Sequence, residues 1–197
     1  MKKHLFIFLL KLMRYKPDFK NIPSESDKCV IVFAPHTSWR DFVIGYFFMN
    51  VLGVKASFLI KKSAFKFPLG GLLRNLGGIP VEKGNHEKFT NYVSDIIKRE
   101  DQMAILICPE GTRKLVKKWR KGFYTIAQKA DVPIVLGYID YNTRKCGMGP
   151  VYHITGDYEH DLHEIQKFYF GMRGRRKGLF HLENMKPEES VSIENPA

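Results

Sequence analysis

Two short stretches of this 197-residue chain combine residue types that could move a proton and hold an anion. The first is Ala34-Pro35-His36-Thr37-Ser38-Trp39-Arg40-Asp41. On one continuous helix, residues five apart point about 140° from each other, at about 3.6 residues per turn. His36 and Asp41 therefore meet only if the imidazole sits in a turn and the carboxylate on the first turn of the helix that follows. A carboxylate bonded to one imidazole nitrogen fixes the tautomer and leaves the other as a proton acceptor, the logic of a hydrolase triad without its serine. The same residues also read as a capping box beside a loop histidine of no chemical consequence, with Ser38 as N-cap and Asp41 at N3. The second stretch is Pro109-Glu110-Gly111-Thr112-Arg113. Here Glu110 and Thr112 can hydrogen-bond hydroxyls, Gly111 lets the backbone approach a ligand closely, and Arg113 can clamp a phosphate in bidentate fashion. Lys61-Lys62-Ser63 adds further positive charge. No hydroxyl or thiol nucleophile with an adjacent base is evident. Direct abstraction of a proton from a substrate hydroxyl is therefore expected, rather than a covalent enzyme intermediate.

These residues need a scaffold that brings them together. Cys29-Val30-Ile31-Val32-Phe33 reads as a buried strand, and Phe42 to Met49 as a buried helix stopped by Gly53. Ala56 to Ile60 reads as a second strand and Gly77 to Lys83 as a short strand or turn. Phe89, Tyr92, Val93, Ile96 and Ile97 recur at helical spacing through Lys98. Met103 to Cys108 is the clearest buried strand, followed by a basic loop, Lys114 to Lys121, and a helix from Gly122 to Ala130. Pro133 to Ile139 and Val151 to Ile154 read as strands, and Leu162 to Met172 as a last helix. Strands alternating with helices predict a single-domain α/β sandwich with a mostly parallel sheet covered by helices. Ligands bind beyond the carboxyl ends of strands in such sheets. The ends at His36, Lys61 and Pro109 would then share one rim.

The formal charge of +12 and a sequence pI near 9.6 point to an anionic partner, whether nucleic acid, a membrane surface or a phosphorylated substrate. Fifteen Phe lean toward an apolar groove or membrane contact. The odd count of three Cys favours a reducing compartment. Residues 1–17 carry a short apolar run, Leu5 to Met13, flanked by Lys and Arg. It is too short to span a bilayer, which takes about 20 residues. The basic start and apolar core fit a secretory signal, but no small-residue cleavage site follows. A membrane-association helix fits better, and a helix packed on the domain's own core fits equally well. Asp18 to Lys28 reads as a linker, 28–185 as the catalytic domain and 186–197 as a polar tail. Asp157, His160 and His163 have a spacing open to metal ligation, but a solvated helix start accounts for them and no metal is assigned. The runs Lys117 to Lys121 and Arg173 to Lys177 suit nucleic acid, anionic headgroups or solvent.

The two motifs, in this order, resemble those of the glycerolipid and lysophospholipid acyltransferases. His36 and Asp41 match that family's H-x-x-x-x-D motif, and Pro109 to Arg113 its P-E-G-T-R motif in full. Cys108 stands where Phe is usual, and Lys114 where Ser is usual. Lys61-Lys62-Ser63 with Pro68 and Gly70 resembles the lysine-containing segment between them. Gly78 to Lys83 resembles a motif that usually ends in Arg, so Lys83 keeps the charge but lacks the guanidinium fork. Val132-Pro133-Ile134-Val135 resembles the fourth motif, and the likeness runs from about Val30 to Tyr141. The resemblance implies acyl transfer from acyl-CoA or acyl carrier protein to a lysophospholipid hydroxyl, with 1-acylglycerol-3-phosphate as the expected acceptor. Another lysolipid or a lyso-aminolipid acceptor, and a non-catalytic basic module binding nucleic acid or anionic lipid, are the alternatives. On this reading His36 is the base and Asp41 orients it. Arg113 and Lys61 hold the phosphate with help from Lys83, while Glu110, Gly111 and Thr112 shape the glycerol pocket. Phe42, Phe58, Phe65 and Phe67 are candidates for the acyl groove. No metal or bound cofactor is implied. The expected setting is peripheral or monotopic, on the cytoplasmic face of an anionic membrane, and nucleic acid is not an expected partner.

Overall fold

The structure, a computed structural model, describes residues 2–19, 27–82, 84, 86–183 and 185. In chain order its elements are α1 (Lys2–Leu12), β1 (Lys16–Asp18), β2 (Lys28–Ala34), α2 (Trp39–Leu52), β3 (Ala56–Lys61), α3 (Leu69–Asn75), β4 (Gly78–Val81), α4 (His86–Arg99), β5 (Met103–Ile107), α5 (Gly122–Ala130), β6 (Ile134–Asp140), β7 (Lys145–Tyr152) and α6 (Tyr158–Phe168). The strands form one sheet in the order β1-β7-β6-β2-β5-β3-β4, parallel throughout except where β6 meets β7. Strand β2 lies in the middle, with Val30 paired to Ile105 of β5 and to Ile134 of β6.

A strand covered on both faces needs apolar residues at every position, and β2 supplies them. Cys29, Ile31 and Phe33 face a layer containing Leu10 of α1 and Ile44 and Phe48 of α2. Val30, Val32 and Ala34 face the opposite layer, with Val93 and Ile97 of α4, Phe123 and Ala127 of α5, and Ile165 of α6. The result is the expected sandwich. Helix α2 is apolar almost all round because both its sides are covered. Its inner side meets the sheet, and on its outer side Phe6 of α1 packs against Tyr46 and Phe47. Gly53 ends α2 at φ 79°, a left-handed conformation that glycine adopts without a Cβ clash.

Three expectations need correction. The stretch Asp18 to Lys28 is not all linker: Asp18 closes β1, which pairs with β7, and Lys28 opens β2. Strand β7 starts at Lys145 and ends at Tyr152, so most of it precedes the expected Val151 and it stops short of His153 and Ile154. Its Gly147 and Gly149 leave room for the rings of Tyr138 and Phe168, which lie where a Cβ would otherwise project. Helix α6 starts at Tyr158, and Asp157 is its N-cap, accepting from the N–H groups of Glu159 and His160. Residues 186–197 lie outside the described residues.

Helix α1 packs on the core through one side and leaves apolar side chains exposed on another. Leu10 is fully buried, whereas Leu5, Phe8 and Leu12 are exposed along one side. Among the described residues, no helix is long and apolar enough to cross a membrane.

Candidate active site

The parallel neighbours β2, β5 and β3 end on one rim, and a cleft of about 990 Å³ opens there. The turn after β2 builds one corner of it. The Ala34–Pro35 peptide is cis, and α2 begins at Trp39. Ser38 is the N-cap in extended conformation and accepts from Arg40 N–H. Asp41, at N3, closes the capping box. Its Oδ2 accepts from the N–H groups of Thr37 and Ser38, each at 2.7 Å, and lies 3.4 Å from His36 Nδ1. Capping the helix and facing the imidazole are therefore compatible for Asp41: the cap is what holds the carboxylate under the ring. His36 is about one-fifth exposed and lines the cleft, whereas the Asp41 carboxylate is fully buried.

Lys61, Gly111, Thr112 and Arg113 line the same cleft as His36 and Asp41. Glu110 does not. Its side chain is buried, and Oε1 accepts the His36 N–H at 2.8 Å, so it fixes the backbone of the turn after β2 rather than lining the cleft. Its Oε2 is buried with no hydrogen-bond partner, and burial pushes the carboxyl up to about 7. Gly111 has φ 61°, and a Cβ there would strike the side chain of Arg120 at 2.6 Å. The close approach that Gly111 permits is thus made by a guanidinium of the chain itself. Lys62 pairs with Glu82 at 2.6 Å. Lys83 lies outside the described residues. Of the acyl-groove candidates, Phe42 and Phe58 line the cleft and pack edge to face at 4.9 Å. Phe65 and Phe67 do not line it, and Phe67 is 98% exposed.

Sequence reasoning missed three participants. Tyr141 donates its hydroxyl to Asp41 Oδ1 at 2.5 Å from 100 positions away. Arg120 lines the cleft beside Gly111, held by its N–H to the Pro109 carbonyl at 2.8 Å. Its place in a basic loop was the signal, and the adjacent Trp119 anchors that loop by burial against Phe123 and Tyr169. The third is Cys108, which lies in hydrogen-bonding contact with His36, so a thiol does stand beside the base. Burial raises the pKa of that thiol. The thiolate is the nucleophilic form, so near neutral pH the sulfur is poorly suited to attack.

Burial works against charge on His36, but Cys108 and the Asp41 carboxylate favour the imidazolium and prevail, raising its pKa to about 10. Because Cys108 stays a thiol near neutral pH, the Asp41 carboxylate is the negative charge beside the ring there, and it holds the His36 pKa above its ordinary value. A raised pKa leaves less neutral imidazole at a given pH, so the capacity of His36 to accept a proton grows as pH rises. Nδ1 faces Asp41, which leaves Nε2 for a substrate proton.

Among solved structures, the chain is similar to the 1-acyl-sn-glycerophosphate (LPA) acyltransferase PlsC from Thermotoga maritima, with a TM-score of 0.59 and 14% identity over 88% of this chain and 80% of that one. A comparison with curated proteins returns no significant match. Residues 17–138 match the family described as Acyltransferase, and because that span holds every strand end from which the cleft is built, the chain belongs to the acyltransferase family.

Proposed function

We propose that this protein moves a fatty acyl group from a thioester donor, acyl-CoA or acyl carrier protein, to the free hydroxyl of a lysophospholipid. The best-supported acceptor is 1-acylglycerol-3-phosphate, giving phosphatidic acid. The observation that carries this reading is one cleft holding the His36–Asp41 pair, the cations Lys61, Arg113 and Arg120, and the apolar wall of Phe42 and Phe58. Neutral His36 takes the acceptor's proton through Nε2 as its oxygen attacks the thioester carbonyl. The tetrahedral adduct expels the donor thiolate, which recovers the proton from the imidazolium. Asp41 orients the ring and stabilises its charged form. Assistance of this kind typically contributes ~10²–10⁴-fold. Arg113 and Lys61 neutralise the acceptor phosphate, and Thr112 and Gly111 border the glycerol.

A peripheral position on the cytoplasmic face of an anionic membrane fits the net charge of +12, the free cysteines and the exposed Leu5, Phe8 and Leu12 of α1. The test is a product screen by mass spectrometry, in which the purified protein receives acyl-CoA or acyl carrier protein and a panel of lysolipids. Phosphatidic acid is the expected main product. A main product from an acceptor without phosphate would overturn the choice of acceptor, and no product from any pairing would overturn the reaction. DNA binding without thiol release would favour a non-catalytic basic module instead.

A further inference from the structure

Behind the catalytic turn lies a second hollow, of about 360 Å³, distinct from the cleft. Arg40, Arg144, Arg173, Arg175 and Lys177 line it, and among the described residues no carboxylate does. These cations come from three parts of the chain: the first turn of α2, the turn between β6 and β7, and the segment after α6. None of the five has an ion-pair partner among the described residues. So many like charges around one concavity raise the local potential and favour an anion that can neutralise them together.

The basic segment is fixed in place. Arg173 N–H donates to Asp140 Oδ1 at 3.0 Å, and Tyr141 N–H donates to the Arg173 carbonyl at 2.9 Å. Arg176 N–H donates to Thr37 Oγ1 at 3.3 Å, and Gly174 packs so closely on Thr37 that a Cβ would meet it at 2.5 Å. Thr37 is the neighbour of His36. Tyr141 lines the hollow and also donates to Asp41. The hollow thus stands one layer of side chains behind the catalytic pair, and its own walls hold that pair in position.

We propose that this hollow binds the phosphates of the acyl donor's coenzyme A portion. The inference rests on the acyl-transfer reading above and assigns the donor to a site separate from the acceptor's cations. The chemistry recognised is phosphate, which a lipid headgroup also carries. Five cations around one hollow suit several clustered phosphate charges rather than the single charge of a phosphodiester. Tyr141 and Met13 add an apolar wall against which a nucleobase can lie.

The test compares the wild type with the triple variant R144Q/R173Q/R175Q and the single variant K177Q, each first checked for an unchanged thermal melt. Calorimetry with free coenzyme A should give affinity weakened about 10- to 100-fold in the triple variant and less in K177Q, as expected for lost charge-assisted contacts. With acyl-CoA the KM should rise in parallel at unchanged kcat. With the acyl-N-acetylcysteamine thioester, which has no phosphate, all three proteins should perform alike. If coenzyme A affinity holds while binding to vesicles containing phosphatidylglycerol falls, the hollow serves lipid headgroups and the proposal is overturned. If neither changes, it is a solvated patch and the proposal is likewise overturned. Should the triple variant not fold, K177Q with unaltered coenzyme A affinity is sufficient to refute it. Failure of the acyl-transfer reading is separate, because it is marked by absence of turnover in the wild type with every donor.

Discussion

Removing the charge of Asp41 while keeping its shape should move the pH at which the site becomes active. In D41N the nearest anion to His36 Nδ1, 3.4 Å away, becomes a neutral amide. Two unit charges at that separation attract by about 1 kcal/mol in bulk water and about 5 kcal/mol at an effective dielectric near 20. His36 is about one-fifth exposed, so its environment falls between these limits. At about 1.4 kcal/mol per pKa unit, the loss of Asp41 should lower the His36 pKa by about 1 to 3 units. In the wild type, kcat/KM should rise with pH along a limb set above the ordinary histidine value of 6.5, because the base is active only when deprotonated. In D41N that limb should move to lower pH by the stated amount. The plateau should also fall by roughly 10²- to 10⁴-fold, since an amide facing Nδ1 no longer holds the ring in the productive tautomer. Stopped-time thiol release across pH 5.5 to about 10.5, read in parallel with thermal melts, measures both effects. A limb that stays in place while activity falls would refute the electrostatic coupling and leave Asp41 a cap alone.

Four further outcomes are expected. Y141F removes the hydroxyl donated to Asp41 Oδ1, which should lower the melting temperature, reduce kcat by about tenfold and leave KM unchanged, at the cost typical of one buried hydrogen bond. R113A should raise the KM for 1-acylglycerol-3-phosphate by about 10- to 100-fold with a smaller change in kcat, and an equal loss with an uncharged monoacylglycerol would contradict a phosphate contact. E110Q keeps an acceptor for the His36 N–H but removes a buried acid whose pKa is raised from 4.5 to about 7. A raised folded pKa means the native state binds the extra proton, so the wild type loses stability as pH climbs through that window. Melting scans should therefore show E110Q gaining on the wild type from pH 4.5 to about 7 and above. His36 has the same sign: its contribution is complete below 6.5 and is lost as pH rises toward about 10, so the H36A melting profile should be flatter over that range.

Much of the scaffold was legible because its signals are local. The central strand shows as an unbroken apolar run since both faces are buried, and the turn after it shows as Ser38 and Asp41 at capping-box spacing. The sheet edges were harder. Strand β1 has three residues, one of them Pro17, and β7 contains Gly147, Gly149 and Pro150, all poor strand formers on any local scale. Their places are set by tertiary packing: β1 by its pairing with β7, and the β7 glycines by rings of Tyr138 and Phe168. The site divided in the same way. His36, Asp41 and Arg113 sit in motifs and could be named, whereas Tyr141 reaches Asp41 only through the sheet order. Glu110 sits in a motif too, but its motif neighbours gave no hint that its carboxylate would turn inward to the His36 N–H. Phe67 shows the converse, an apolar residue that the resemblance offered to an acyl groove and the fold leaves in solvent.

The most direct test is acyl transfer by H36A beside the wild type, with 1-acylglycerol-3-phosphate and acyl-CoA, followed by free-thiol release and by mass spectrometry of the phosphatidic acid formed. Wild-type turnover with a loss of about 10²- to 10⁴-fold in H36A, at an undiminished content of folded protein, is the expected result. Turnover in H36A within a few-fold of wild type would contradict the assignment of His36 as the base that takes the acceptor's proton.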